Sequence, residues 1–305
     1  WGDPGYSMKN NPYWVINEMN HGIKKQRYMA NANLKYEILD WLNVAGRVRI
    51  DNATNDFTDK RSATTDTYFT DGSDYGFYKY YKADDRQVYA DIMVNIDKRF
   101  KDFSLSANIG GSFTQTYYDE KGFQGGLKDM SNVFSLYNMN TVLDKDTYPV
   151  EDGYKQRTNS VFASAELGWK SMLYLTLTGR DDWDSALINT ERSSFFYPSV
   201  GLSGVISEMV KLPTFISYLK VRGSFASVGT AIPRNLSSKK TYKWEPSTSQ
   251  WKLQTYRPLP KLYPERTNSW QAGLNAKFFR NSLTLDVTWY KANTRKQTFL
   301  VPLSG

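Results

Sequence analysis

Residues 156–187 read QRTNSVFASAELGWKSMLYLTLTGRDDWDSAL, and their alternation decides the fold. One face of the first half carries Val161, Ala163, Ala165, Leu167 and Trp169; the other carries Ser160, Phe162, Ser164, Glu166 and Gly168. Lys170 and Ser171 interrupt the pattern. Leu173, Leu175 and Leu177 then alternate with Tyr174, Thr176, Thr178, Arg180 and Asp182. A period of two around a short polar break marks an antiparallel hairpin with one apolar and one wet face. Each arm alternates for about 10 residues, the length that crosses a bilayer at a tilt of about 45°. A soluble strand has about 5–6.

Four companions share the pattern. The first sets Tyr28, Ala30, Ala32, Leu34, Tyr36 and Ile38 against polar neighbours, turns at Asp40-Trp41, and returns through Leu42, Val44, Gly46, Val48 and Ile50. The second runs from Val88 to Ile96, turns within 99–102, and returns from Phe103 to Phe113. The fourth joins 194–208 to 215–231, with Pro198 marking a bulge or a strand start. The fifth runs from Thr267 to Phe278, turns at Arg280-Asn281, and returns through Leu283, Leu285, Val287 and Trp289. Between them, 1–25, 53–85, 119–155 and 232–263 read as loops. Met130, Val133, Phe134 and Tyr137 are spaced for a short helix inside the third of these.

Turns inside hairpins are short, and the segments between them are mostly long. That asymmetry predicts an all-β, antiparallel transmembrane barrel segment of about ten strands in five hairpins, with short periplasmic turns and long extracellular loops. The apolar face is rich in Ala and Gly, and Trp41, Phe103, Trp169 and Phe278 sit beside the short turns, where an interfacial girdle belongs. A soluble sandwich, the competing fold, packs its inner face with large side chains.

Composition narrows the chemistry. Hydrophobic residues make up 40% and mean hydropathy is −0.60, and no run approaches the 18 apolar residues of a membrane helix. Cysteine is absent, which excludes disulfides and thiolate metal sites. His21 is the single histidine, so no metal site and no cofactor is expected. The net charge of +8 is scattered rather than clustered, which argues against nucleic acid. Asp84-Asp85 and Asp181-Asp182 are adjacent on strands and point to opposite faces, so neither can flank one glycosidic bond. No enzymatic site emerges. Trp1 and Gly305 look like cuts in a longer chain.

Several segments together carry a family resemblance: NPYWVINE (11–18), GRDDWDSAL (179–187), SSFFYPSVGLSGVISE (193–208), ISYLKVRGSFASVGTA (216–231), PERTNSWQAGL (264–274) and LVPLSG (300–305). They resemble the SusC/RagA family of TonB-linked outer-membrane transporters. The resemblance implies a barrel of about 22 strands around a plug, a SusD-like surface lipoprotein as lid, and energy from TonB. The whole of 1–305 would then be part of one such barrel, embedded in outer-membrane lipid, with plug, TonB box and closing strands absent. An open sheet or additional chains would follow, because unpaired edges do not persist in lipid. The cargo would be a large nutrient, an oligosaccharide or a peptide. Arg180, Asp182 and Trp183 are the candidates for contact with substrate or plug, unless the charges merely pair along the wall. Tyr78 and Tyr80, in a Tyr-rich stretch, are candidates for stacking on sugar rings or for packing on the lid or on their own loop. A non-transporting surface β protein and a soluble carbohydrate-binding sandwich are the alternatives.

Overall fold

The computed structural model describes residues 11–139, 147–190, 194–230, 242–245, 248, 250–253, 263 and 265–297. After a short helix α1 (Pro12–Glu18), the chain forms β1 (Met19–Leu39), β2 (Leu42–Ser62), β3 (Gly76–Phe100), β4 (Phe103–Gly126), β5 (Thr147–Trp169) and β6 (Leu173–Asp184). β7 (Phe195–Val205), helix α2 (Ile206–Met209), β8 (Ile216–Thr230), β9 (Tyr242–Glu245), β10 (Gln250–Leu253), β11 (Glu265–Phe278) and β12 (Leu283–Arg295) follow. All five hairpins form. Ten strands make one antiparallel sheet in the order β1-β2-β3-β4-β5-β6-β7-β8-β11-β12, and β9 pairs with β10 separately.

The turn of the third hairpin shows how local geometry sets the register. Lys170 and Ser171 both take positive φ, 51° and 57°, which matches the twist of the strands they join. The Met172 N–H closes the turn on the Trp169 carbonyl at 2.8 Å. From there Leu167 pairs with Leu175 and Leu175 with Leu202. On the other side Val44 pairs with Val94, Val94 with Ile109, and Ile109 with Ala163. One apolar belt therefore runs from strand to strand.

Burial on this sheet is inverted. On the belt Ile92 is 61% exposed, Ile109 56% and Leu202 57%, while Asp91, Ser112 and Ser160 on the polar face are buried. A soluble sandwich would cover the belt with a second sheet; among the described residues no such layer exists. The sheet is instead the wall of an outward-apolar, inward-polar β structure, the arrangement that suits hydrocarbon on one side and water on the other.

Several loop assignments need correction. Residues 53–62 and 76–85 belong to β2 and β3, leaving 63–75 with a 3₁₀ turn at Thr67–Phe69. Likewise 119–126 and 147–155 extend β4 and β5. The apolar belt on β3 ends at Val88 while the strand continues to Gly76. Beyond the belt both faces meet water, so alternation vanishes although the backbone ladder continues. The helix expected around Met130–Tyr137 does not form; a 3₁₀ turn at Leu136–Asn138 takes its place. Buried Asn138 organises that segment, donating to the Met130 and Val133 carbonyls and accepting from the Asp129 and Met130 amides. Residues 11–25, read as loop, hold α1 and the start of β1; 1–10 lie outside the described residues. Within 232–263 the β9–β10 hairpin stands where loop was expected.

Among the described residues β1 and β12 form the two edges of the sheet, and β12 is exposed along its whole length.

Candidate substrate-facing wall

Alternation places Arg and Asp on the same face whenever they are two residues apart on a strand or opposite each other across two. The inward face uses both routes. Arg61 lies 2.7 Å from Asp59, and Arg180 Nε lies 2.6 Å from Asp182 Oδ1. Across strands Arg47 meets its register partner Asp91 at 2.8 Å, and Arg27 reaches diagonally to Asp51 at 2.6 Å. Arg222 reaches further, contacting Asp286 at 2.9 Å and Thr288 at 2.6 Å. It does so over Gly273, where a Cβ would come within 2.5 Å of the Arg222 Nε. Gly273 is the gap that lets the guanidinium span a strand. Most of these pairs are partly exposed and stabilise the wall little; the buried carboxylates of Asp91 and Asp59 are the exceptions.

At the long-loop end of β6 the polar face becomes a cleft. β7 pairs with β6 from Phe195 onward, but with β8 only from Ser199. Above that point Ser227–Thr230 of β8 pair with β11 alone. The sheet forks between β7 and β8, and Pro198, which lacks the N–H a ladder needs, stands at the fork. The resulting cavity is about 600 Å³ and is lined by Arg180, Asp182, Asp184, Leu187, Tyr197 and Val228, among others. Leu187 and Phe195 are buried, with Tyr197 packed on them. Arg266 bridges the fork, donating to the Phe196 carbonyl at 2.7 Å. Arg180 also donates to Ser160 Oγ at 2.8 Å, and Asp184 accepts from Thr158 Oγ1 at 2.8 Å and from the Ala186 amide at 2.8 Å. The cleft thus presents a cation, two carboxylates and a phenol over an apolar floor.

The candidate residues divide by face. Arg180 and Asp182 line the cleft together. Trp183 is on the opposite, apolar face, 39% exposed. Tyr78 and Tyr80 share the face of Val88–Ile96 and so point outward, Tyr78 with its ring 6.2 Å from Phe134. Different aromatics turn inward above the belt: Tyr81 stacks on Phe57 at 4.7 Å, and Tyr118 on Tyr154 at 5.6 Å. Counting parity from Val88 through 76–85 would have found Tyr81, had the strand been continued. Burial, together with its hydrogen bond to the Glu120 carboxylate, raises the Tyr118 phenol well above its ordinary range, so it stays a donor. Pro198, read as a bulge or a strand start, instead lies inside β7 with no register shift against β6 and stands at the fork; nothing in the sequence pointed to Asp184 or Tyr197. Among the described residues no group of His, Asp and Glu is arranged to hold a metal ion.

Residues 2–305 match the model of a family described as TonB dependent receptor-like, beta-barrel. None of the curated protein sequences compared matches the chain significantly. Among solved structures, the RagAB peptide importer in its open-open state is similar over 96% of this chain, with a TM-score of 0.82 and 17% identity. The siderophore receptor PiuA from Acinetobacter baumannii is similar over 88%, with a TM-score of 0.53 and 12% identity. The ferric-catecholate receptor Fiu from E. coli K12 is similar over 89%, with a TM-score of 0.54 and 10% identity. The chain spans 32% of the first and 40% and 41% of the other two. At these identities the likeness is one of fold.

Proposed function

The chain belongs to the TonB-dependent receptor β-barrel family, and on that premise we propose that it forms part of the wall of an outer-membrane importer rather than an enzyme. The cargo is a large nutrient, an oligosaccharide or a peptide, drawn in with energy from TonB beneath a SusD-like lipoprotein lid. The observation that carries this reading is the inverted burial: an exposed apolar belt backed by a polar face whose charges are paired. Further strands of the whole protein pair with the edges β1 and β12, because an open edge does not persist in hydrocarbon. The fold likeness to RagAB, itself a peptide importer, supports the same class.

Arg180 and Asp182 are the substrate contacts in this reading. Each already holds its partner, so cargo is met by oriented, solvated groups rather than by an uncompensated charge that would trap it. Tyr78 and Tyr80, turned outward above the belt, would meet the lid or neighbouring loops, not the lumen. Trp183 belongs to the lipid-facing girdle.

The test uses cells lacking the full-length protein, complemented with wild type or with Arg180→Gln and Asp182→Asn combined. Uptake of labelled oligopeptides and oligosaccharides is measured. One class should be lost without the protein and restored by wild type. The double variant should weaken uptake affinity roughly 10–100-fold, the scale of one or two charge-assisted hydrogen bonds. Unchanged uptake of both classes in the deletion strain would overturn import; wild-type affinity in the double variant would remove Arg180 and Asp182 from the path.

A further inference from the structure

Just beyond the apolar belt, on the same outward face, three cations stand together. Arg86 lies one alternation beyond Val88 on β3, toward Gly76, and Arg157 and Lys155 lie beyond Val161 on β5. The register sets Arg86 opposite Tyr117 and Tyr117 opposite Lys155. Two ladder steps separate the outer pair, about 10 Å at roughly 4.8 Å per step. Arg157 sits in the adjoining row, opposite Gln115 and roughly 7 Å along the strand from Lys155. All three are exposed.

Their surroundings differ from those of the inward arginines described above, each of which holds an Asp. Arg86 Nε donates to Asn52 Oδ1 at 3.1 Å. Arg157 donates to Gln115 Oε1 at 3.2 Å and lies 5.3 Å over the Phe113 ring. Lys155 has no side-chain hydrogen bond or ion pair among the described residues. The nearest carboxylates further out are Asp84, whose partner is the neutral Thr54 hydroxyl at 2.6 Å, and Asp119, which pairs with Lys121 at 3.1 Å. Asp84 offsets at most one of the three cations, so the cluster keeps a net positive charge, directly above a surface made for acyl chains.

We propose that Arg86, Lys155 and Arg157 bind the phosphate of a phosphorylated lipid of the outer leaflet whose acyl chains lie on the belt below. Charge complementarity selects the phosphate, and continuity with the apolar belt selects a lipid over a soluble anion. The Arg157 guanidinium is held over Phe113, and Tyr117 between Arg86 and Lys155 offers a hydroxyl donor at the headgroup. The inference rests on the membrane placement of the wall and is independent of which cargo is imported.

The test compares the full-length protein, purified in detergent, with its Arg86→Gln, Lys155→Gln, Arg157→Gln triple variant. Binding is followed by native mass spectrometry with diphosphoryl lipid A, dephosphorylated lipid A and inorganic phosphate as probes. Heat-modifiable gel mobility verifies that the variant is folded; single substitutions replace it if it is not. Diphosphoryl lipid A should bind the triple variant about 100-fold more weakly, each cation near a charged surface contributing roughly fivefold. Dephosphorylated lipid A should bind both proteins alike, and inorganic phosphate at the same concentration should not compete. Equal binding of diphosphoryl lipid A to both proteins would overturn the proposal, as would phosphate competing as well as the lipid does. Failure of either lipid to bind wild type would overturn the membrane face beneath it, a distinguishable result.

Discussion

Leu175→Arg in the full-length protein is expected to block assembly into the outer membrane, whereas Thr176→Arg is expected to assemble normally. The two positions are neighbours in sequence and opposites in environment. Leu175 sits in the belt between Leu167 and Leu202, which are 44% and 57% exposed to what would be lipid. A guanidinium there costs about 2–4 kcal/mol if near the bilayer midplane, a large fraction of the marginal stability of a folded protein. Thr176 faces inward and its hydroxyl donates to Glu166 Oε2 at 3.2 Å. An arginine at 176 would find that carboxylate and water. Folded yield on heat-modifiability gels after refolding into lipid vesicles measures the difference. Equal yields for the two variants would mean that the belt is not where the lipid lies.

The second large effect is expected at Arg47 and Asp91, and it is asymmetric. They are register partners across β2 and β3, with the Asp91 carboxylate accepting from Arg47 Nε as well as Nη2. The Asp91 side chain is fully buried, while that of Arg47 is 49% exposed. Arg47→Ala leaves a buried carboxylate without its cation, at about 3 kcal/mol. Asp91→Ala leaves a cation that water can solvate, at about 1.5 kcal/mol, the scale of the lost charged hydrogen bond. Chemical unfolding of both single variants and the double in vesicles gives the coupling. Should Asp91→Ala prove the more damaging, burial of the carboxylate would not be what governs the pair.

How much was legible in the sequence follows from where the solvent changes. Between Val161 and Trp169 one face meets apolar surroundings and the other meets water, so alternation is strong and the hairpins can be read directly. Above the belt, in Ala53–Ser62 or Gly76–Asp85, water lies on both sides. The backbone hydrogen bonds still favour a strand there, but nothing obliges the side chains to alternate, and the segment looks like loop. That error carried Tyr78 and Tyr80 along with it, since their outward direction depends on continuing β3 down to Gly76. Arg180 and Asp182 share a face because the strand was recognised, and the same parity puts Trp183 on the other side. The fork was not legible. It arises because β7 and β8 stop pairing at Ser199 while both continue, which is a property of the register between strands, and Pro198 alone hinted at it. Met130, Val133, Phe134 and Tyr137 had helical spacing, but the Asn138 side chain satisfies the local backbone groups that a helix would have used.

The most direct test of the wall uses the absence of native cysteine in this chain. Single cysteines at successive positions from 160 to 168 and from 173 to 180 of the full-length protein, cleared of any cysteine elsewhere, would carry a nitroxide label in lipid vesicles. Electron paramagnetic resonance then compares collisions with dissolved oxygen, which concentrates in hydrocarbon, and with a water-soluble nickel chelate. If the apolar face spans the membrane, oxygen accessibility peaks at Val161, Ala163, Ala165, Leu167, Leu173, Leu175 and Leu177. The nickel chelate should favour the positions between them. Accessibility that did not alternate, or that alternated in the opposite phase, would contradict the membrane wall.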